Sequence, residues 1–298
     1  MNNSTMNGTK ASLVDSNEYN VALIIIWTAL VVVGDVGNTL TIYIICRFTV
    51  KSATIIYILS LAIADLTFLT VVVPSALVGI TINLPTLLID LHPLVGFLQN
   101  TAAHVTCWTL MAMTIDRYLA IVYPVKSLNW RTTKTSVLVF TGVWIVSVVL
   151  SIPYAVLHES VLSNELGVGV SLTSFGIPLL VIIACYAKIL VVLHKRDKEM
   201  LQKVEERKRM KKTRRVIKMV AVLILLFACS WGPIQVLFMW RNLDPSFPHS
   251  MELFYFEIFA HTLSYANSCI NPFVYAFMNK RIRTALAARF RTKCIYME

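Results

Sequence analysis

An acid and a base stand side by side at Asp116-Arg117, within VTCWTLMAMTIDRYLAIVYP (residues 105–124), a run that is otherwise mostly apolar. Ionised groups are costly in an apolar medium unless paired. Adjacent opposite charges can hold each other by a charge-assisted bond, and such a pair in an apolar run marks function by default. Snorkelling of a terminal Arg to an interface is the plain alternative. A second acid, Asp65, closes the apolar stretch LAIAD and needs a proton, a cation or several donors to neutralise it. Two prolines, Pro233 in SWGP and Pro272 in NPFVY, each delete a backbone hydrogen bond and kink a helix, which makes hinges. Enzyme signatures are absent: there is no HExxH, P-loop or G-x-S-x-G, and GVGVSL fails the dinucleotide pattern because residue 172 is Leu. We expect no catalytic residues and no resident cofactor.

The chain that must position these groups is 57% hydrophobic and only 14% charged over 298 residues, far from the soluble norm of about a quarter charged. Seven apolar runs are long enough to cross a bilayer core, roughly 21–46, 54–79, 94–123, 135–157, 171–193, 216–240 and 253–278. Lipid gives the backbone no hydrogen-bond partner and barrel-type alternation is absent, so each is a helix. The fold class expected is all-α, a membrane-spanning seven-helix bundle. A cleavable signal peptide is the other reading of the first run, but no basic segment precedes it and no small-residue cleavage pattern follows. Of 27 Lys and Arg, only Lys10 and Arg241 fall on the side of the N-terminal tail, and residues 195–218 alone carry twelve. The positive-inside rule then puts the N-terminus outside and the C-terminus in the cytoplasm. Sequons at Asn2, Asn3 and Asn7 agree, as glycosylation sites. The net charge of +11 faces the inner leaflet, so membrane lipids or an acidic cytoplasmic partner fit it and nucleic acid does not.

Other features recur at matching depths: Gly37-Asn38 in the first span, Trp144 in the fourth, Pro178 and Tyr186 in the fifth. Taken in order with LAIAD, DRY, SWGP and NPFVY, they resemble the rhodopsin-class G-protein-coupled receptors over residues 22–290. FACSWGPIQVLF and AHTLSYANSCINPFVYAF are similar to receptors for galanin, allatostatin-A and kisspeptin, with GPIQ most like the kisspeptin type. The resemblance implies a receptor at the plasma membrane, with an extracellular peptide ligand, a heterotrimeric G protein and arrestin as partners. It implies that Arg117, beside Asp116 and Tyr118, is released on activation toward Tyr186 and Tyr275 of the Asn271-Pro272 segment and meets the G-protein α subunit. It implies a sodium ion as allosteric ligand at Asp65, ringed by Asn38, Thr106, Asn267, Ser268 and Asn271. A structural hydrogen-bond hub is the alternative, and for Asn38 the favoured one. Trp231 and Phe227, next to Pro233, would form a toggle, with plain core packing equally open for Phe227. Thr213 stands where many relatives carry an acid that braces Arg117, so inactive-state restraint is expected to be modest.

Ligand contacts are expected from Gln99, Gln235, Phe238, Met239, His261 and Tyr265, a polar and aromatic set suited to an amidated or aromatic peptide end. His261 reads equally well as a packed residue. Gln99 replaces the acid that amine receptors use, and the seventh span lacks a Lys for retinal. Outward segments carry Asp15, Glu18, Asp90, Glu159, Glu165, Asp244, Glu252 and Glu257, a field that favours a basic peptide. Relatives staple the third span to the second outer loop by a disulfide, yet here the matching position is His92 and residues 158–172 contain no Cys. No extracellular disulfide is expected, and a ligand-independent or non-signalling receptor is the alternative reading. A transporter is more remote, because the motifs differ from span to span instead of pairing in halves. Asp35 is an acid in the first span with no evident partner. The mixed-charge segment 195–215 would extend the fifth and sixth helices into the cytosol. Domain bounds are a tail over 1–20, a receptor domain over 21–279, and over 280–298 an inner-leaflet amphipathic helix (Ile282, Leu286, Phe290) with Cys294 as palmitoylation site.

Overall fold

The computed structural model describes residues 3–49, 52–81, 85–156, 164–199, 204–244, 246–248 and 250–295. Asn2, His92's side chain and the loop residues 157–163 lie outside what it describes, as do the side chains of Asn3, Asn7, Phe290 and Cys294. The helices are α1 (Asn3–Phe48), α2 (Ala53–Thr67), α3 (Val73–Thr81), α4 (Pro85–Val122), α5 (Thr133–Val156), α6 (Asn164–Ser171), α7 (Ile177–Glu199), α8 (Val204–Leu243), α9 (Met251–Met278) and α10 (Lys280–Ile295).

These ten helices make seven spans plus α10. The second span joins α2 to α3 through a π-turn at Phe68–Val72, and the fifth joins α6 to α7 through another at Leu172–Gly176. Both have one cause. Pro74 and Pro178 follow each turn by two residues, and a proline offers no N–H and crowds the carbonyl four residues back. The ladder slips to i→i−5 just ahead of each: Val73 donates to the Phe68 carbonyl and Ile177 to that of Leu172. Pro93, Pro153, Pro233 and Pro272 lie within continuous helices.

Six of the spans are long and apolar enough to cross a membrane. The seventh, α9, has 28 residues but carries Glu252, Glu257, His261, Asn267 and Asn271, which lower its apolarity; it packs against α1 and α8 as a full member of the bundle. Burial is arranged to suit lipid. Leu138, Leu180 and Phe277 stand 68–73% exposed on the outer surface, whereas Asn38, Asp65, His104, Asn267 and Asn271 are buried inside.

Two boundaries move from the sequence expectation and a third agrees with it. α1 runs from Asn3, so the segment read as a tail continues the first helix. Residues 164–171, assigned to an outer loop, form α6 and lengthen the fifth span. α7 and α8 extend past the apolar runs to Glu199 and back to Val204, as the mixed-charge segment predicts. Asn279 ends α9 and starts α10, its Oδ1 accepting the backbone N–H of Arg281 at 3.0 Å, a side-chain cap on donors that a helix start leaves unpaired.

Candidate functional site

Toward the C-terminal end of α4, Asp116 is 7% exposed and binds two cations. Arg117 pairs with its Oδ2, and Arg131, outside the span, donates from Nε to Oδ1 at 2.9 Å and from Nη2 to Oδ2 at 3.3 Å. Arg117 also donates to Thr54 Oγ1 on α2 at 2.8 Å. The latch read from sequence is therefore a cluster of one carboxylate, two guanidiniums and a hydroxyl. Neither Arg131 nor Thr54 stood out in the sequence. Tyr118 turns away from the latch, its ring 6.0 Å from that of Tyr123 and packed with Ile121, Ile189, Leu193 and Ile217 between α4, α7 and α8. The Tyr186 hydroxyl donates to the Ile217 carbonyl at 3.0 Å, closing α7 onto α8. Tyr275 is fully buried and its hydroxyl has no hydrogen-bond partner in the protein. In this arrangement Arg117 is held by Asp116 and Thr54, and the two tyrosines are not its partners.

Deeper in the bundle, Asn271 Nδ2 donates to Asp65 Oδ2 at 2.7 Å, and the Ser268 hydroxyl faces the same carboxylate. Thr106 is buried as well. Asn38 has a different task from ligating: its Nδ2 donates to the Gly34 and Ser268 carbonyls, both at 3.0 Å. Ser268 lies four residues before Pro272, so its carbonyl is the one the proline cannot serve. Asn38 supplies that missing donor and so ties α1 to the α9 kink. Three buried oxygens, Asp65 Oδ1, Asn38 Oδ1 and Asn267 Oδ1, accept no hydrogen bond from the protein. The unserved oxygen of Asp65 suits a proton or a hard cation.

Above this layer runs an aromatic stack. Phe175, in the second π-turn, lies 5.7 Å from Phe227; Phe227 stacks 6.0 Å from Trp231; Trp231 lies 5.5 Å from Phe68, in the first π-turn. Both π-turns thus abut the pair next to Pro233. The second is anchored by His104, whose ring nitrogens meet the Asn100 carbonyl at 2.8 Å and Thr173 Oγ1 at 3.1 Å, and by Trp108 Nε1 on the Thr173 carbonyl at 2.8 Å. Trp144, read as a landmark, donates to Ser60 Oγ at 3.1 Å, and Ser60 meets Thr109 at 3.0 Å, joining α5, α2 and α4.

The proposed ligand contacts sit toward the opposite end. Gln99, Gln235, Phe238, Met239 and His261 are half-buried and Tyr265 is buried. The His261 ring lies 5.8 Å from that of Tyr265, which also packs edge-on against Trp27 at 4.9 Å. Gln235 Oε1 is buried without a partner. Nearer the rim, Arg241 pairs with Glu257 at 2.7 Å, so one acid of the expected negative field already has its cation. Asp244 accepts from Trp240 Nε1 at 3.1 Å and from the Ser246 backbone and hydroxyl at 2.9 and 2.6 Å. Those Ser246 contacts hold its carboxyl below the ordinary value.

Residues 37–275 match the 7 transmembrane receptor (rhodopsin family). The chain belongs to that family. It is similar to the human (Homo sapiens) KiSS-1 receptor, 31% identical over 296 residues, covering 90% of this chain and 73% of that protein. It is 31% identical to galanin receptor type 1 of Rattus norvegicus over 298 residues, 92% of this chain and 83% of the relative. The allatostatin-A receptor of Bombyx mori is 30% identical over 279 residues, 85% and 75% of the two chains. The chain is thus a membrane-spanning G-protein-coupled receptor, of the group that its sixth and seventh spans resemble.

Within the receptor the sequence missed chiefly the polar groups that join helices instead of standing in a motif. His104, Thr173, Ser60 and Thr109 lie among apolar neighbours, and isolated polar residues in such runs were the one available signal. Asp35 keeps Oδ1 buried without a partner; the structure gives no account of it.

Proposed function

We propose that the receptor responds to an extracellular peptide with an amidated or aromatic end and drives nucleotide exchange on a heterotrimeric G protein, without catalysing a reaction of its own. The N-terminus faces outward and the basic connections face the cytosol. Peptide contact with Gln99, Gln235, Phe238, Met239, His261 and Tyr265 shifts Trp231 and Phe227, and α8 pivots at Pro233. Arg117 then exchanges Asp116 and Thr54 for Tyr186, Tyr275 and the G-protein α subunit, with Asn271-Pro272 as the second hinge. Asp65, with Thr106, Asn267, Ser268 and Asn271, would hold a sodium ion that favours the resting arrangement. Asn2, Asn3 and Asn7 take glycans and Cys294 a palmitoyl chain. Arrestin and inner-leaflet lipids use the same basic face.

One observation carries this reading: Arg117, toward one end of the bundle, is held by side-chain bonds to Asp116 on its own helix and to Thr54 on α2. The similarity to receptors for kisspeptin, galanin and allatostatin-A supports a peptide of that chemistry. The test is calcium and cAMP readout in cells displaying the receptor, with a panel of galanin-like, allatostatin-like and kisspeptin-like peptides. A peptide-dependent signal that disappears in Arg117→Ala at equal surface level is the expected result. A peptide response that survives Arg117→Ala unchanged refutes the latch, and surface protein silent to every peptide refutes the ligand class.

A further inference from the structure

The cytoplasmic latch opens onto a cavity of about 1530 Å³. Six cations line it: Arg117, Arg131, Lys211, Arg215, Lys280 and Arg281. Among the described residues that line it there is no Asp or Glu. Asp116, which does not line it, is bound to two of these cations, Arg117 and Arg131. The cations come from four places in the chain: the end of α4, the segment before α5, the start of α8 and the start of α10. Ser52, Thr54, Thr133 and Thr284 add hydroxyls to the same wall.

A concave site lined by one sign of charge concentrates the opposite sign. Charges drawn from four elements would repel one another across the cavity, and the one carboxylate bound beside it, Asp116, already spans Arg117 and Arg131. A ligand that answers all of them carries several charges close together. Guanidiniums grip phosphate oxygens in a two-pronged fashion, while lysines act as point charges toward them, and the hydroxyls suit a polyol. Basic pockets between helices on the cytoplasmic side are suited to lipid headgroups of this type.

We propose that this cavity binds a polyphosphorylated polyol, either as the headgroup of an inner-leaflet phosphoinositide or as a soluble inositol phosphate. The ligand bridges Lys211 and Arg215 on α8 to Lys280 and Arg281 on α10. Resting on the proposed outward pivot of α8, this bridge holds the resting arrangement and competes with G-protein engagement. The binding itself does not depend on that pivot.

The experiment uses full-length receptor purified in uncharged detergent. Inositol trisphosphate and a short-chain phosphatidylinositol bisphosphate are titrated separately, with binding read by calorimetry. The variants are Lys211→Gln/Arg215→Gln, Lys280→Gln/Arg281→Gln, and the control Lys134→Gln/Lys188→Gln, which removes two exposed cations outside the cavity. Expected is saturable one-to-one binding, weakened about tenfold or more in either cavity variant, as loss of charge-assisted contacts implies, and unchanged in the control. Equal melting temperatures establish that the variants are folded. Binding of both probes marks the headgroup as sufficient; binding of the lipid alone marks the membrane as the source. No saturable binding of either probe, or equal weakening in the control, overturns the site. Binding is read without any peptide or G protein, so failure of the signalling reading leaves this result intact.

Discussion

Asp116 answers two guanidiniums with one carboxylate, so Arg117 is also restrained by its single hydrogen bond to Thr54. Thr213, which the resemblance sets where many relatives carry an acid, supplies no second carboxylate, and that raises the importance of the Thr54 bond. Removing it in Thr54→Val deletes a hydrogen bond to a charged donor, worth about 1.5 kcal/mol or more. Basal nucleotide exchange measured without peptide should rise severalfold, while the peptide-driven maximum stays near that of the parent. An unchanged basal rate would show that Thr54 does not restrain the resting state. The charge pair itself was legible in sequence because ions are rare inside apolar runs. Its partners were not, since Thr54 and Arg131 lie 63 and 15 residues away from the pair they complete and look like ordinary helix-end polar residues. Asn38 shows the same limit from the other side. Its status as a structural hub was readable, but its job of serving the carbonyl that Pro272 leaves bare required the α1 to α9 register.

At the scale of elements, prolines announce disturbance without saying which kind. Pro74 and Pro178 produce π-turns, whereas Pro233 and Pro272 stay inside continuous helices; the difference depends on neighbours that local sequence does not display. Glycines are similarly silent until helices are docked. A Cβ on Gly34 would collide with Leu69 Cδ1 and stand 3.3 Å from the Cys269 backbone, whereas one on Gly142 meets nothing within 4 Å. Gly34→Ala should therefore lower the melting temperature of the purified receptor, at a cost of about 1–3 kcal/mol from overpacking. Gly142→Ala should hold or raise it, through a helix-propensity gain of up to about 1 kcal/mol. Equal effects would mean that α1 does not pack on α9 and the second span as described. The turn after α8 is tested by pH. The Asp244 carboxyl is depressed by bonds from Ser246 and Trp240, so its folded value lies below its unfolded one. Its contribution is complete above the ordinary carboxylate range and lost as pH falls through the folded value. The melting difference between the parent and Asp244→Asn should accordingly be present at neutral pH and shrink on acidification. A difference that grows with acid would reverse the assignment.

Over the whole molecule the helical bundle was the most legible feature, since seven apolar runs in lipid admit few arrangements. The end with the ligand contacts was the least legible, because residues 158–172 contain no Cys for the staple that relatives use and nothing in the sequence indicated what replaces it. The structure supplies non-covalent substitutes at two depths. His104 and Trp108 clamp the fifth span to α4 in the interior, and Arg241 pairs with Glu257 at the rim, where the Arg is 46% exposed. Exposed pairs are worth about 0–1 kcal/mol, whereas leaving a buried polar group unserved costs about 1–3 kcal/mol. The interior clamp should dominate. Cys46, Cys107, Cys185, Cys229 and Cys269 are all free thiols, so a reducing agent has no cross-link to break among the described residues. Melting temperature and peptide response should be indifferent to reductant, Glu257→Gln should shift melting little, and His104→Ala should shift it several degrees. A response abolished by reductant would place a disulfide where this structure has none. A larger loss from Glu257→Gln than from His104→Ala would move the burden of holding the outer half from the bundle interior to its rim.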